Sequence, residues 1–279
     1  MVKHDTLPSN TAILRWRDAF LALNQERLDA TRSQMTKRQQ AVIDVLAVLL
    51  HVTHPRLPGF VTADTPCGVR GFTPSIAQRS ALHTLARGVQ LPRDPTHRSI
   101  HALYLMGSLG SVAQSSSSDL DVWVCHDELL RPQHLAALRQ KCDLIEQWAA
   151  QQNCEVHFFL MNLTEFRQGQ SRSADGEDCG STQHLLLLDE FYRSALWLAG
   201  ACPRWWAIPL SEETRADSYW QRLVDNHIVS VDQWLDVGSI ATIPAAEFVG
   251  AGLWQLNKGL ANPYKSLLKL LLTRHYASQ

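Results

Sequence analysis

The 279-residue chain carries 26 Lys and Arg against 27 Asp and Glu, a net charge of −1, so no overall basic field attracts a nucleic-acid backbone or an anionic membrane. Apolar residues make up 45% of the chain, enough for the sizeable core of a folded globular protein. The longest purely aliphatic run, Val45 to Leu50, falls far short of the roughly 20 residues of a membrane span.

Met1-Val2-Lys3-His4-Asp5 lacks the basic stretch and apolar core of a secretory signal. Six cysteines (Cys67, Cys125, Cys142, Cys154, Cys179 and Cys202) are scattered without Cys-x-x-Cys spacing, against a structural zinc and against a disulfide framework. The expected location is the reducing cytoplasm.

From about Thr11 to Leu50, apolar residues recur at helical spacing (Ile13, Trp16, Phe20, Leu23, then Val42, Val45, Leu46, Leu49), which predicts a hairpin of two helices. Pro55, Pro58-Gly59 and Pro66-Cys67-Gly68 break the pattern into an irregular loop to about Thr73. Thr73-Pro74-Ser75 then opens a helix to about Arg87, with Thr73 as its cap and Pro74 in its first turn. His51 and His54 have no carboxylate or cysteine partner nearby and read as a helix terminus rather than as metal ligands.

Leu91 to His97 is a polar connection. Ile100 to Leu105 has strand propensity and delivers Gly107-Ser108, and Leu120 to Val124 forms a second strand. Leu129 to Gln152 is a long amphipathic helix, and Glu155 to Leu160 a third strand. Leu163 to Gly180 is expected to be a long loop over the sheet. Ser181-Thr182-Gln183-His184 opens a helix that ends at Gly200, and Arg204 to Ile208 is one more strand. Helices are expected at 212–226, 231–236, 245–258 and 263–276. The predicted fold class is α+β, a small mixed sheet flanked by helices, with N-terminal helices and a helical C-terminal half. Three regions follow: a helical one at 1–97 packed on the core, a core sheet at 98–210, and a helical subdomain at 211–279 closing the site.

The chemistry concentrates in Met106 to Cys125. Asp119 and Asp121, two apart on a strand, share a face while Leu120 and Val122 turn into the core. Paired oxygen ligands of this kind suit Mg²⁺, with substrate phosphates completing its shell; two solvated aspartates on an exposed edge are the alternative. Upstream, Gly107 allows the backbone close to an anion, and the amides around Ser108 can face phosphate oxygens, above all if Ser108 to Ala113 begins a short helix. Glu155 opens the third strand, either as a rim residue or, beside Asp119, as the third member of a carboxylate triad. Two metals about 3.5 to 4 Å apart would then activate a hydroxyl and neutralise a leaving phosphate. The chain has no Gly-x-x-x-x-Gly-Lys-Ser/Thr loop, no Gly-x-Gly-x-x-Gly fingerprint and no Gly-x-Ser-x-Gly elbow. Phosphoryl or nucleotidyl transfer is the reading left.

Gly107-Ser108 followed by Asp119-x-Asp121 and a later strand carboxylate resembles the DNA polymerase β-like nucleotidyltransferase superfamily. Longer strings resemble the class I adenylate cyclases of gammaproteobacteria: Met106 to Cys125, Gly176-Glu-Asp-Cys-Gly-Ser-Thr-Gln-His184, Leu188-Asp-Glu-Phe-Tyr-Arg193 and Asn262-Pro-Tyr-Lys265. The resemblance implies a nucleotidyltransferase-type sheet and conversion of ATP to 3′,5′-cyclic AMP and pyrophosphate with two Mg²⁺ or Mn²⁺ ions. Asp119, Asp121 and Glu155 match the metal ligands, and Gly107, Ser108 and Ser118 the phosphate-binding turn. Leu109 departs from the small hydroxyl residue expected there. Lys258, Lys265 and Lys269 lie on the last helices, where the superfamily often sets lysines against the triphosphate; Lys265 and Lys269 share a helical face. Ser181, Thr182 and His184 are candidate phosphate donors at a helix start, although capping alone would explain the first two. Family members usually continue into a large region that senses sugar-transport status, and nothing like it follows Gln279, so the chain reads as a catalytic part. An intermolecular transfer of AMP, or a nucleotide-sensing module without turnover, are the alternatives.

Overall fold

The computed structural model describes residues 7–89, 98–111, 114–115, 118–169, 184–239, 243–260 and 263–277. The predicted N-terminal hairpin is present as α1 (Asn10–Ser33) and α2 (Lys37–His51). Ser9 caps α1 by accepting from the Ala12 amide, and a reciprocal pair, Thr36 and Gln39, starts α2. Every residue of α2 from Val45 to His51 is buried, as a helix that is apolar nearly all round must be. α3 (Ile76–Leu85) is shorter than the pattern predicts, and its cap is Ser75 instead of Thr73. Ser75 and Gln78 complete a capping box, so Pro74 precedes the helix.

Four strands make the main sheet: β1 (Ile100–Met106), β2 (Leu120–His126), β3 (Val156–Met161) and β4 (Leu196–Gly200), in the order β3-β2-β1-β4. β1 is antiparallel to β2 and β4, whereas β2 and β3 are parallel. A parallel pair needs a long crossover, which α4 (Pro132–Gln151) supplies. It starts at Pro132, later than Leu129, with Pro in its first turn. Strand alternation sorts the side chains. Leu103, Leu105, Leu120, Val122, Val124, Val156 and Phe158 join α2, α3 and α4 in one core. Tyr104, Met106, Trp123 and Cys125 face the other way, against Phe166 of α5 (Leu163–Arg167) and Leu188 and Phe191 of α6 (His184–Ser194).

Four expectations are corrected. The helix drawn to Gly200 stops at Ser194, and Leu196–Gly200 is β4. Leu196 and Ala199 are fully buried in the sheet's core, and at Gly200 (φ 96°) a side chain would collide with the His101 carbonyl, so this glycine marks close strand approach and not a helix end. Arg204–Ala207 is a short 3-10 helix instead of a strand, with Trp206 stacked on Phe20 of α1. Residues 231–236 are a 3-10 turn followed by β6 (Trp234–Leu235), parallel to the two-residue β5 (Cys202–Pro203); Trp234 and Leu235 are both buried, a two-sided burial that a helical spacing hides. The loop expected from Leu163 begins with α5, because Asn162 caps the amides of Thr164 and Glu165; its part at 170–180 lies outside the described residues.

The C-terminal half is helical as expected, with α7 (Ala216–Asp225), whose predicted first turn is a 3-10 helix, then α8 (Ala245–Lys258) and α9 (Pro263–Ala277). Among the described residues no helix is long and apolar enough to cross a membrane. Five cysteines there are free; Cys179 lies outside the described residues.

Candidate active site

β1 ends by feeding Met106 into a hydrogen-bonded turn at 107–110, with Met106 paired opposite Asp121 of β2. Gly107 has φ 85°, and a Cβ there would stand 2.9 Å from Asp121 Oδ2. Only glycine permits both the turn and a carboxylate so close. The Ser108 hydroxyl, buried, lies 3.0 Å from that of Ser118, which also accepts the Ser115 amide at 3.0 Å. Gln114 braces the same loop: its side chain accepts from the Gly110 amide at 2.8 Å and donates to the Thr31 carbonyl of α1 at 3.0 Å. The described part of the serine-rich stretch is therefore a braced turn, and it is not helical at 108–111. Leu109 is buried in the main core, so its departure from a small hydroxyl residue anchors the turn.

Asp119 directly precedes β2 and Asp121 lies within it, while Leu120 and Val122 are buried in the opposite core. The Leu120 amide donates to the Glu155 carbonyl at 2.9 Å, which sets Glu155 beside Asp119, and His157 pairs opposite Asp121. All four side chains project from one face of the sheet. Burial first, then the neighbouring Asp119, pushes the Asp121 carboxyl up to about 6, against the pull of His157, Lys269 and Lys265. The two predicted lysines of α9 thus act on this carboxylate across the site. Lys269 also stands 3.9 Å from Glu190 of α6.

Glu155 is exposed, and its carboxylate lies 3.2 Å from His157 Nε2. Among the described residues no group of three or more His, Cys, Asp or Glu side chains stands close enough to hold a metal. The Asp121 carboxyl, held up by burial and by the neighbouring Asp119, nonetheless fits a hard divalent cation, whose charge would favour the ionised carboxylate and whose remaining ligands would come from water and phosphate.

His184 opens α6 with its ring 4.8 Å from that of Phe166; burial lowers its pKa, against the pull of Glu247. Glu247 of α8 accepts the Leu186 amide at 2.9 Å, so a carboxylate already serves one free amide of this helix start. Ser181 and Thr182 lie outside the described residues. Lys258, exposed at the end of α8, sits 5.0 Å from the Trp254 ring. Sequence reasoning missed His157, although its i+2 spacing from Glu155 is the signal that united Asp119 and Asp121. It also missed the bracing role of Gln114, which depends on α1 lying across the turn.

The family model described as the adenylate cyclase NT domain matches residues 12–206, and one described as the class-I adenylate cyclase second domain matches 243–279. The chain is 44% identical over 259 residues to the adenylate cyclase of Shigella flexneri and 43% identical over 259 residues to that of Escherichia coli strain K12. It is also 42% identical over 266 residues to the adenylate cyclase of Yersinia intermedia. Each match takes in 92% of this chain, which spans about 30% of the length of each relative. No solved structure matches the chain.

Proposed function

The chain belongs to the class-I adenylate cyclase family, and from that premise we propose that it converts ATP to 3′,5′-cyclic AMP and pyrophosphate. The observation that supports this most is the opposition of Gly107 and Asp121, an anion-admitting turn held against a half-buried carboxylate beside Asp119, with two helix-borne lysines acting on it. The ribose 3′-hydroxyl passes its proton to solvent water and its oxygen attacks the α-phosphorus in line. The new ester bond forms as the bond to the β-phosphate oxygen breaks, and pyrophosphate leaves with that electron pair.

Two Mg²⁺ or Mn²⁺ ions, when bound, supply a lowered hydroxyl pKa and neutralise charge on the leaving group. Asp119 and Asp121 would hold them, with Glu155 on the ribose side. Ser108 and Ser118 share one hydrogen bond, so either hydroxyl can redirect its proton to a phosphate oxygen. Lys265 and Lys269 take the β- and γ-phosphates, with Lys258, Ser181, Thr182 and His184 as outer contacts. Regulation by sugar-transport status, implied for the longer family members, would act through parts of them that this chain does not span.

The test is incubation with ATP and Mg²⁺ or Mn²⁺. Cyclic AMP and pyrophosphate in equal amounts are expected. AMP attached to another acceptor would make the protein an intermolecular nucleotidyltransferase, and metal-dependent ATP binding without product would make it a sensing module.

A further inference from the structure

The hairpin of α8 and α9 is built inside out. On α8, Val249, Leu253 and Leu256, continued by Leu260 in the connection, are each at least 61% exposed. On α9, Tyr264, Leu267, Leu268, Leu271 and Leu272 are 41% to 83% exposed. Both sets recur at helical spacing and form stripes along their helices, and α8 packs on α9. Several polar groups face inward: Glu247 accepts the Leu186 amide of α6, Lys269 reaches Glu190, Arg193 of α6 lies over the Tyr276 ring, and Ser266 is buried. A surface helix normally does the reverse, and apolar surface on this scale marks an interaction site.

Two further facts identify the occupant. The hairpin coincides with residues 243–279, the part matched by the class-I second-domain model, while the match to the NT domain ends at residue 206. From Phe248 to Gln279 the chain has no Asp or Glu but includes Lys258, Lys265, Lys269 and Arg274. We propose that the outward leucine face of α8 and α9 is the seat of an amphipathic helix of the class-I second domain, supplied by the part of the longer relatives that this chain, at about 30% of their length, does not span. That helix turns apolar side chains to the leucines and carboxylates to the exposed Arg274.

Amide hydrogen exchange on this chain and on the full-length Escherichia coli relative tests the proposal. Amides of α9 are expected to exchange at least tenfold more slowly in the relative, and glutamates at its positions aligned with Leu267 and Leu271 should remove that protection. Equal exchange in the two proteins overturns the proposal. Light scattering on this chain and on its Leu267→Glu plus Leu271→Glu variant should find a monomer in both cases. A wild-type dimer that the variant dissolves would make a second copy the occupant. Co-sedimentation with anionic lipid vesicles that the variant loses would make it a membrane surface, and either result displaces the proposal. None of these readouts depends on ATP turnover, so they stand apart from the cyclase assay.

Discussion

The Gly107 turn and the α8–α9 hairpin are both assigned to the nucleotide's phosphates, yet they are held in opposite ways. Leu109 buries the turn in the main core, the Ser108 and Ser118 hydroxyls close it, and Gln114 ties it to α1. The hairpin meets α6 through polar contacts, Glu247 to the Leu186 amide and Lys269 to Glu190, and leaves its leucines outside. An ion pair of 3.9 Å between half-exposed groups contributes little on its own. The sheet therefore fixes the turn against Asp121, whereas the hairpin brings Lys265 and Lys269 toward the same carboxylate from beneath an uncovered apolar face.

The largest way to break this comparison is to empty the fixed half. In Asp121→Asn the loss of several kcal/mol of metal-mediated charge stabilisation is expected to lower cyclic AMP formation on the order of a thousandfold, with the melting temperature held or raised because a carboxyl destabilised by burial and by Asp119 is removed. A fall in turnover with parallel unfolding would assign Asp121 to the fold instead. Next comes Gly107→Ala, whose Cβ would press on Asp121 Oδ2 at 2.9 Å from a left-handed backbone. Strain of about 1–3 kcal/mol should appear as lower stability in thermal melts together with a turnover loss of roughly a hundredfold. Wild-type turnover in this variant would show that the turn yields and is not fixed.

The fixed half was the more legible in sequence, and for a physical reason. Gly107-Ser108 and Asp119-x-Asp121 sit at strand ends, where a two-residue period settles which side chains share a face. Hence β1, β2 and the common face of Asp119 and Asp121 are read directly, whereas Glu155 stays open between a rim residue and a third carboxylate until the pairing of β2 with β3 is known. β4 was missed because Leu196 to Gly200 is apolar on both faces and follows a helix without a break, and short buried runs carry no period. The α8 and α9 helices were found, but not their orientation. Helical spacing shows that Leu267 and Leu271 lie on one side and Lys265 and Lys269 on another. Which side turns inward depends on Glu190, Arg193 and the Leu186 amide of α6, partners distant in sequence.

Smaller effects sharpen the contrast from the hairpin side. Lys265→Ala and Lys269→Ala each remove a cation that acts on Asp121, and each is expected to raise the KM for ATP about tenfold, the scale of one charge-assisted contact, while kcat moves less. Lys269→Ala also frees Glu190, so its α9 amides should exchange faster than those of Lys265→Ala. Identical exchange in the two variants would mean that this ion pair does not hold the hairpin.

The smallest effect belongs to the turn's own closure. Ser118→Ala removes the acceptor of the Ser115 amide and the partner of the buried Ser108 hydroxyl. A net hydrogen bond is worth about 1 kcal/mol, so the melting temperature should fall by about 2–4 °C. Because Leu109 and the Gln114 brace remain, the backbone path of the turn should survive, and the KM for ATP should rise only a few-fold through the loss of one phosphate donor. A drop in turnover as large as that of Gly107→Ala would mean that the serine pair, and not the glycine, sets the approach of the phosphate to Asp121. An unchanged KM would confine Ser118 to holding Ser108 in place.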